Sequence, residues 1–297
     1  MSNLTLSPDS PTAARERNTL MPSTNLDAET VKGFGLEWKS FDQSQADPRE
    51  LESLFDRYFS IFPWNQIDDD SVGADVGCGS GRWSMFVAPR VGHLHLVDAS
   101  PEALSVANKN LGHLPNVSFH ASSVDQIPLA NGCLDFAFSL GVLHHVPDTA
   151  QAICDVAAKL KPGAPLLLYL YYNFDNRPTW YRTLWRASDL LRRAICRLPF
   201  GLRWLASQMV AAGVYFPLAR LARLLDARGK LPRAFPLAFY RNRSFYVMRT
   251  DALDRFGTRL EQRFSKTEIE DLMTRGGFER ISFRDSAPYW CAVGYKK

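Results

Sequence analysis

Three observations predict that this chain of 297 residues is an α/β protein built on a doubly wound, mainly parallel sheet. Short apolar runs alternate with helical patterns across residues 72–172. The first run leads straight into a glycine-rich turn, Val-Gly-Ala-Asp75-Val-Gly77-Cys78-Gly79-Ser-Gly81. The second run closes on an acid, Asp98, about twenty residues after that turn, where a sheet of this kind binds a ribose.

Each element follows from its own residues. Alternate glycines let the backbone turn sharply and approach a ligand with no side chain intervening. Residues 82–89 then begin a helix whose free N–H groups face the same space. Such turns also hold pyrophosphates and triphosphates, with the spacings GxGxxG and GxxxxGKS/T. Here the spacing is GxGxG, and Asp75 two residues upstream would repel a phosphate. An acid so placed suits a cation, such as the ammonium of a methionyl group beside a sulfonium.

The strand at 93–97 ends in Asp98, whose carboxylate can accept from both ribose hydroxyls, while Ser100 is the natural cap of the helix opened by Pro101. Residues 117–120 read as the third strand, followed by Ser122-Ser123-Val124-Asp125. The fourth, 134–139, opens into Leu140-Gly141-Val-Leu-His144-His145-Val-Pro147-Asp148 at the carboxyl edge of the sheet, where such folds bind ligands. A helix over 148–161 carries Ala152, Val156 and Leu160 on one stripe and stops at Lys161-Pro162-Gly163. The fifth strand, 165–172, is apolar on both faces, as a central parallel strand requires. The pattern resumes at Ser265-Lys-Thr-Glu268, a capping box, with Gly276-Gly277 ending that helix. Two strands, 280–284 and 289–294, flank a turn at Ser286-Ala-Pro288.

With 46% hydrophobic residues, the chain can bury a full core, and its length suits one domain with an elaboration. Residues 1–30 are polar and lack an apolar signal segment, which predicts a disordered tail. Five cysteines with no CxxC pair point to a reducing compartment, the cytoplasm, and away from a metal site. Cys78 reads as a small packing residue.

The interruption between 172 and 265 is strongly basic. Residues 177–243 hold fourteen Arg and Lys against Asp189 and Asp226, a balance of +12 that leaves −8 on the remainder of a chain whose net charge is +4. At about 100° per residue, Tyr181, Leu184, Trp185, Leu191, Ile195 and Leu198 gather on one face, with Arg182, Arg186, Arg193 and Arg197 nearly opposite. Residues 204–219 carry no charge and are broken near their end by Pro217. That stretch is shorter than the ~18 to 20 residues a membrane span needs. Two readings stand: helices packed over the sheet edge with solvated arginines outward, or a surface for an anionic partner such as a lipid membrane or a phosphorylated or lipid-linked acceptor. Nucleic acid fits poorly, because the aromatics lie on the apolar face and do not alternate with arginines along one groove.

The turn at 75–81, the acid at 98 and the segment 140–148 resemble motif I and the later motifs of the class I S-adenosylmethionine-dependent methyltransferases. The resemblance implies a Rossmann-like seven-stranded sheet of order 3-2-1-4-5-7-6, closed by an antiparallel pair. A helical insert lies between the fifth strand and the last helix. It implies S-adenosylmethionine as cofactor, S-adenosylhomocysteine as product, and cofactor contacts at Asp75, Gly77, Cys78, Gly79, Gly81, Asp98, Ala99, Ser123, Val124, Ser139 and Gly141. Where the family often has an acid for the adenine amino group this chain has Ser123, so either that hydroxyl or Asp125 takes its place. The phrase Gly33-Phe34-Gly35-Leu36-Glu37-Trp38, residues 250–263 and the ending 288–294 extend the likeness to a bacterial group associated with surface-polysaccharide and lipid biosynthesis. The expected division is a tail over 1–30, an N-terminal helical cover over 31–70, a core over 71–172 and 265–297, and a basic helical insert over the acceptor site at 173–264.

Methyl transfer from a sulfonium is an in-line displacement, so the protein contributes alignment and a dry site. A base is needed where the acceptor must lose a proton. His144 is the expected acid/base, with His145 in a structural hydrogen bond, and Trp38, Tyr171, Tyr172, Arg249 and Tyr289 are expected at the substrate. The predicted activity is methylation of an O or N atom, or of carbon, on a small or lipid-linked, anionic acceptor. A cytoplasmic enzyme is expected, peripheral at the inner membrane surface through 177–243. The competing readings are transfer of another sulfonium substituent, or an S-adenosylmethionine-binding module whose insert docks on a membrane or protein.

Overall fold

The structure, a computed structural model, describes residues 25–297. Most of the expected tail lies outside the described residues, and its last part is already helical. Asp27 accepts from the Thr30 N–H and caps α1 (Ala28–Ser40). Asp47 caps α2 (Pro48–Tyr58) in the same way, with proline in the first turn. These two helices form the N-terminal cover.

Strand β1 (Val72–Val76) runs into the glycine turn and a short α3 (Ser84–Val87), which continues as a 3-10 turn through Arg90. The helix expected over 82–89 is therefore a single turn, cut short by Pro89, which has no N–H to donate. There follow β2 (His93–Asp98), α4 (Pro101–Leu111), β3 (Val117–Ala121), β4 (Phe136–Leu140), α5 (Thr149–Lys159) and β5 (Pro165–Tyr169). Ser100 caps α4 and Asp148 caps α5. The insert comprises α6 (Thr179–Ile195), α7 (Phe200–Val210), α8 (Phe216–Ala227) and α9 (Phe245–Gly257). The chain closes with α10 (Lys266–Arg275), β6 (Phe278–Phe283) and β7 (Cys291–Lys296). Both capping-box bonds between Ser265 and Glu268 are present at α10.

The strands form one sheet of order β3-β2-β1-β4-β5-β7-β6. Strands β1 to β5 are parallel, while β7 runs antiparallel to both β5 and β6. Alternation along the strands divides the core into two layers. Phe136 and Phe138 of β4 pack with Phe55, Phe59, Leu94, Leu96 and Leu167 on one side. Ala137 packs with Ala74, Val76, Ile153, Val156 and Leu166 on the other. Burying each phenylalanine contributes about 1.5–3 kcal/mol.

Two expectations change in detail. The last strands start at Phe278 and Cys291, because Gly277, at a positive φ, turns the chain directly into β6. Pro217 does not break the insert. A π-helical turn, Ala211–Tyr215, lies between α7 and α8, and the proline falls in the first turn of α8. The wider turn makes room for a ring that would otherwise press on the carbonyl four residues back.

Candidate active site

The glycine turn is pinned to the neighbouring strand before any ligand is considered. The N–H groups of Gly77 and Cys78 both donate to the Val97 carbonyl, at 2.7 and 3.0 Å, and the Gly79 N–H donates to Asp98 Oδ2 at 2.9 Å. Gly77 and Gly79 have φ of 81° and 55°, in the left-handed region that glycine tolerates. A Cβ on Gly77 would lie 2.3 Å from Val142, and one on Gly79 would lie 2.7 Å from the Trp38 indole. Of the three glycines, only Gly77 lines the cavity described below; Gly79 and Gly81 make room for Trp38 and Leu111 instead. The expected direct ligand contact at these two positions is thus corrected to a packing role.

One cavity of about 740 Å3 extends from this turn into the insert. Its cofactor end is lined by Gly77, Cys78, Asp98, Ala99, Ser123, Val124 and Gly141, seven of the positions expected there. Asp98 Oδ1 accepts from the Ser100 N–H at 2.8 Å, so the carboxylate is oriented by two backbone donors and keeps lone pairs for a diol. Burial raises its pKa, against the pull of those two bonds. The Ser122 hydroxyl, beside Ser123, is buried with no partner among the described residues, and Ser122 lines the cavity. Asp125 does not line the cavity; its carboxylate accepts from the Asn25 N–H at 3.2 Å. Burial also raises the Cys78 thiol well above its usual range, in keeping with a packing role.

Asp75 and Ser139 are not brought to the cavity. Asp75 is 1% exposed and accepts from Ser84 Oγ at 2.7 Å, locking strand to helix behind the turn, so its carboxylate does not line the space where an ammonium was expected. Ser139 donates to the Val76 carbonyl at 2.8 Å and fastens β4 to β1. A cation does line the cavity just after the turn: Arg82, which sequence reasoning missed. Its guanidinium lies over the rings of Trp38 and Trp83, 5.2 and 4.6 Å from their centroids, and faces the cavity. Cation and stacked geometry suit a carboxylate.

Beyond the turn the cavity becomes aromatic and acidic. Trp38, Tyr171, Tyr172 and Tyr289, all expected at the substrate, line it together with Phe34, Tyr58 and Tyr240. Arg249 does not. Its Nε donates to Gln208 at 2.5 Å and its guanidinium lies over Phe41, because it sits on a different face of α9 from Asp251 and Asp254. Those two acids do line the cavity, three residues apart and hence on one helix face. Asp251 accepts from Tyr240 at 2.8 Å, and Asp254 accepts from Tyr171. Burial pushes both carboxyls up to about 6, with Arg82 drawing them back. Glu37 of α1 also faces this space, and burial followed by repulsion from Asp254 raises it well above the carboxylate range.

His145 makes the structural hydrogen bond expected of it and also lines the cavity, whereas His144, the expected acid/base, does not reach it. His144 is fully buried, its ring stacked 3.9 Å from that of Tyr171, and it does not line the cavity. His145 lines it. His145 Nδ1 lies 2.6 Å from the Leu260 carbonyl, so this nitrogen carries the proton and donates. Nε2 is then a bare lone pair, buried without a hydrogen-bond partner among the described residues and 4.0 Å from Asp254 Oδ1. Burial lowers the ring to about 4, which keeps it neutral at physiological pH.

The sheet order is the one that the resemblance to class I S-adenosylmethionine-dependent methyltransferases implied. Residues 74–168 match the family model described as a methyltransferase domain, and the chain carries that domain. A 37.1 kDa protein in a transposon of Streptomyces fradiae is 31% identical over 168 residues, covering 55% of this chain and 44% of that one. A ubiquinone biosynthesis O-methyltransferase of Hahella chejuensis is 34% identical over 157 residues, covering 50% of this chain and 63% of that one. The chain thus spans about half the length of these relatives. A solved S-adenosylmethionine-dependent methyltransferase of Methanosarcina mazei is 18% identical, with 78% of this chain and 95% of that one covered and a TM-score of 0.46.

Proposed function

We propose that the protein transfers a methyl group from S-adenosylmethionine to an oxygen or nitrogen of an acceptor held in the aromatic half of the cavity. The observation that carries this reading is the Asp98 carboxylate, oriented by the Gly79 and Ser100 N–H groups and facing one continuous space with the Tyr171–Asp254 pair and His145. When bound, the cofactor supplies an electrophilic methyl carbon on a sulfonium. Asp98 would hold its ribose, Ser122 and Ser123 its adenine edge, and Arg82 its carboxylate.

The chain's own chemistry is then alignment and proton removal. His145 Nε2 accepts the acceptor's proton, and Asp254 beside it, ionised above about 6, stabilises the resulting imidazolium. Phe34 and Tyr171 exclude water from the pair. The O-methyltransferase among the relatives supports oxygen as the atom methylated. Arg177 and Arg233 at the far rim, with Tyr172 and Tyr289, suit an anionic group on the acceptor.

Calorimetric titration with S-adenosylmethionine and with S-adenosylhomocysteine tests this. Both are expected to bind, and Asp98→Ala should weaken each by about tenfold or more, the loss of a charge-assisted hydrogen-bond pair. No binding by the wild-type chain would overturn the reading, and equal binding by the variant would remove Asp98 from the ribose.

A further inference from the structure

Hydrophobic exposure on this protein is concentrated in one place. Of the fourteen large apolar side chains exposed among the described residues, twelve lie between Trp180 and Leu224, on α6, α7, α8 and the turns between them. Leu202, Leu205 and Met209 are 55%, 50% and 66% exposed, and their spacing aligns them along one stripe of α7. Leu184, Leu191 and Leu198 recur every seventh residue on α6 and just beyond it. An uncovered apolar face of this extent marks a surface that meets something.

The charge of the same segment identifies its occupant. Residues 177–243, which contain it, carry +12, and Arg186, Arg197, Arg223, Arg228 and Lys230 are exposed. Apolar side chains for acyl chains and guanidinium groups for headgroup phosphates are the two requirements of an anionic lipid interface. Trp180, 53% exposed at the start of α6, suits the headgroup level. No helix among the described residues is long and apolar enough to cross a membrane, so these helices would lie along one.

The cavity reaches the surface within this face. Leu184, Leu191 and Val214 belong both to the exposed set and to the cavity lining. A molecule seated in a bilayer beneath the face would therefore meet the mouth between α6 and the π-helical turn, with Trp185 and Tyr181 just inside.

We propose that the α6–α7–α8 face docks peripherally on an anionic phospholipid bilayer, with the cavity mouth turned towards it. Docking stands independently of methyl transfer; the use of the mouth by a lipid-borne acceptor rests on the function proposed above.

Flotation with vesicles of phosphatidylcholine, alone or mixed with phosphatidylglycerol, tests the docking. The full chain is expected to float with the mixed vesicles at low salt and about tenfold less with phosphatidylcholine alone or at high salt. The triple variant Leu202→Glu, Leu205→Glu, Met209→Glu should lose flotation while binding S-adenosylmethionine as the wild type does, since none of the three lines the cavity. Vesicles with brominated acyl chains should quench tryptophan fluorescence, and Trp180→Phe should lose part of that quench. A cofactor-binding protein that stays off anionic vesicles, or a triple variant that still floats, would overturn the docking. An unchanged quench in Trp180→Phe would overturn the orientation. A wild type that is dimeric by light scattering, with a monomeric triple variant and no flotation of either, would assign the face to a second copy and also overturn it. Flotation without cofactor binding would support docking while striking down the methyltransferase reading alone.

Discussion

A carboxyl that is 1% exposed, with one hydroxyl for a partner, resists ionisation, and burial moves Asp75 up to about 7 from an unfolded value of 3.8. In the folded chain the proton is retained, while the unfolded chain releases it. Stability is therefore unaffected by this group below about pH 4, falls as pH rises through 4 to 7, and is level beyond. Three units at about 1.4 kcal/mol each put the full cost on the order of 4 kcal/mol. Asn in its place keeps an acceptor for Ser84 and cannot ionise. Asp75→Asn should accordingly gain stability over the wild type in urea melts, by more at about pH 8 than at about pH 5. A gain equal at both would mean that Asp75 does not titrate in this window. The exposure that decides such a group's role is set by neighbours remote in sequence: Ser84 seals Asp75 from the cavity, while Asp98 at the end of the next strand is left facing it.

The turn between β1 and α3 is an element defined by what lies against it. Gly79 and Gly132 both have positive φ, so alanine at either bears the backbone cost of the left-handed region, about 1–2 kcal/mol. Gly132 has open space around it, whereas a Cβ on Gly79 would press into the Trp38 indole. Gly79→Ala should lower stability by about 2 kcal/mol more than Gly132→Ala and weaken cofactor binding as α1 shifts. Equal effects of the two in thermal melts would remove Trp38 from the account. The strands and caps were legible because alternation, caps and turns are local signals, while the strand order followed from the family resemblance: Asp98 at the end of β2, the Ser100 cap, the Ser265–Glu268 box and the buried runs of β4 and β5 stand where, or close to where, their residues imply. The acceptor half was not. His144 and His145 are adjacent on a 3-10 turn, and which ring reaches the cavity depends on Tyr171 and the Leu260 carbonyl, far along the chain. Arg249 and Asp251 are two apart on α9, and only its packing decides that the acid faces inward. The spacing of Asp251 and Asp254 was a visible signal for a polar face; their burial was not.

At the scale of the molecule, the cofactor end is closed by Asn25, Leu26 and Asp27, just ahead of α1. Asn25 donates its N–H to Asp125 at 3.2 Å and its Nδ2 to the Asp148 carbonyl at 2.7 Å, and its Oδ1 accepts from the Asp148 N–H at 2.8 Å. It thereby straps the loop after β3 to the cap of α5, and Asn25, Leu26 and Asp27 form that wall of the cavity. The strap leads into α1, whose Gly35 packs against Ser100 of the core and whose Glu29 lies 3.7 Å from Arg259 at the end of the insert. Cover, core and insert thus meet around one space. The insert is braced internally by buried ion pairs, Asp189 with Arg192 at 2.6 Å, and Glu261 with Arg255 at 2.6 Å and Arg263 at 2.7 Å, and Arg263 also donates to the Tyr172 carbonyl of the core at 3.1 Å. Removing one partner of such a pair leaves a buried charge uncompensated. The insert is therefore held more firmly than the strap, whose bonds to Asp148 are exposed and replaceable by water. Opening at Asn25 is the less costly route for the cofactor. Asn25→Ala removes the two side-chain bonds at a stability cost below about 1 kcal/mol. It should nevertheless speed release of S-adenosylhomocysteine several-fold in stopped-flow displacement, with the association rate little changed, because the wall and not the ribose contact is what loosens. An unchanged release rate would mean that the cofactor leaves by the mouth between α6 and the π-helical turn, which would make the insert, and any surface it docks on, the gate for both substrates.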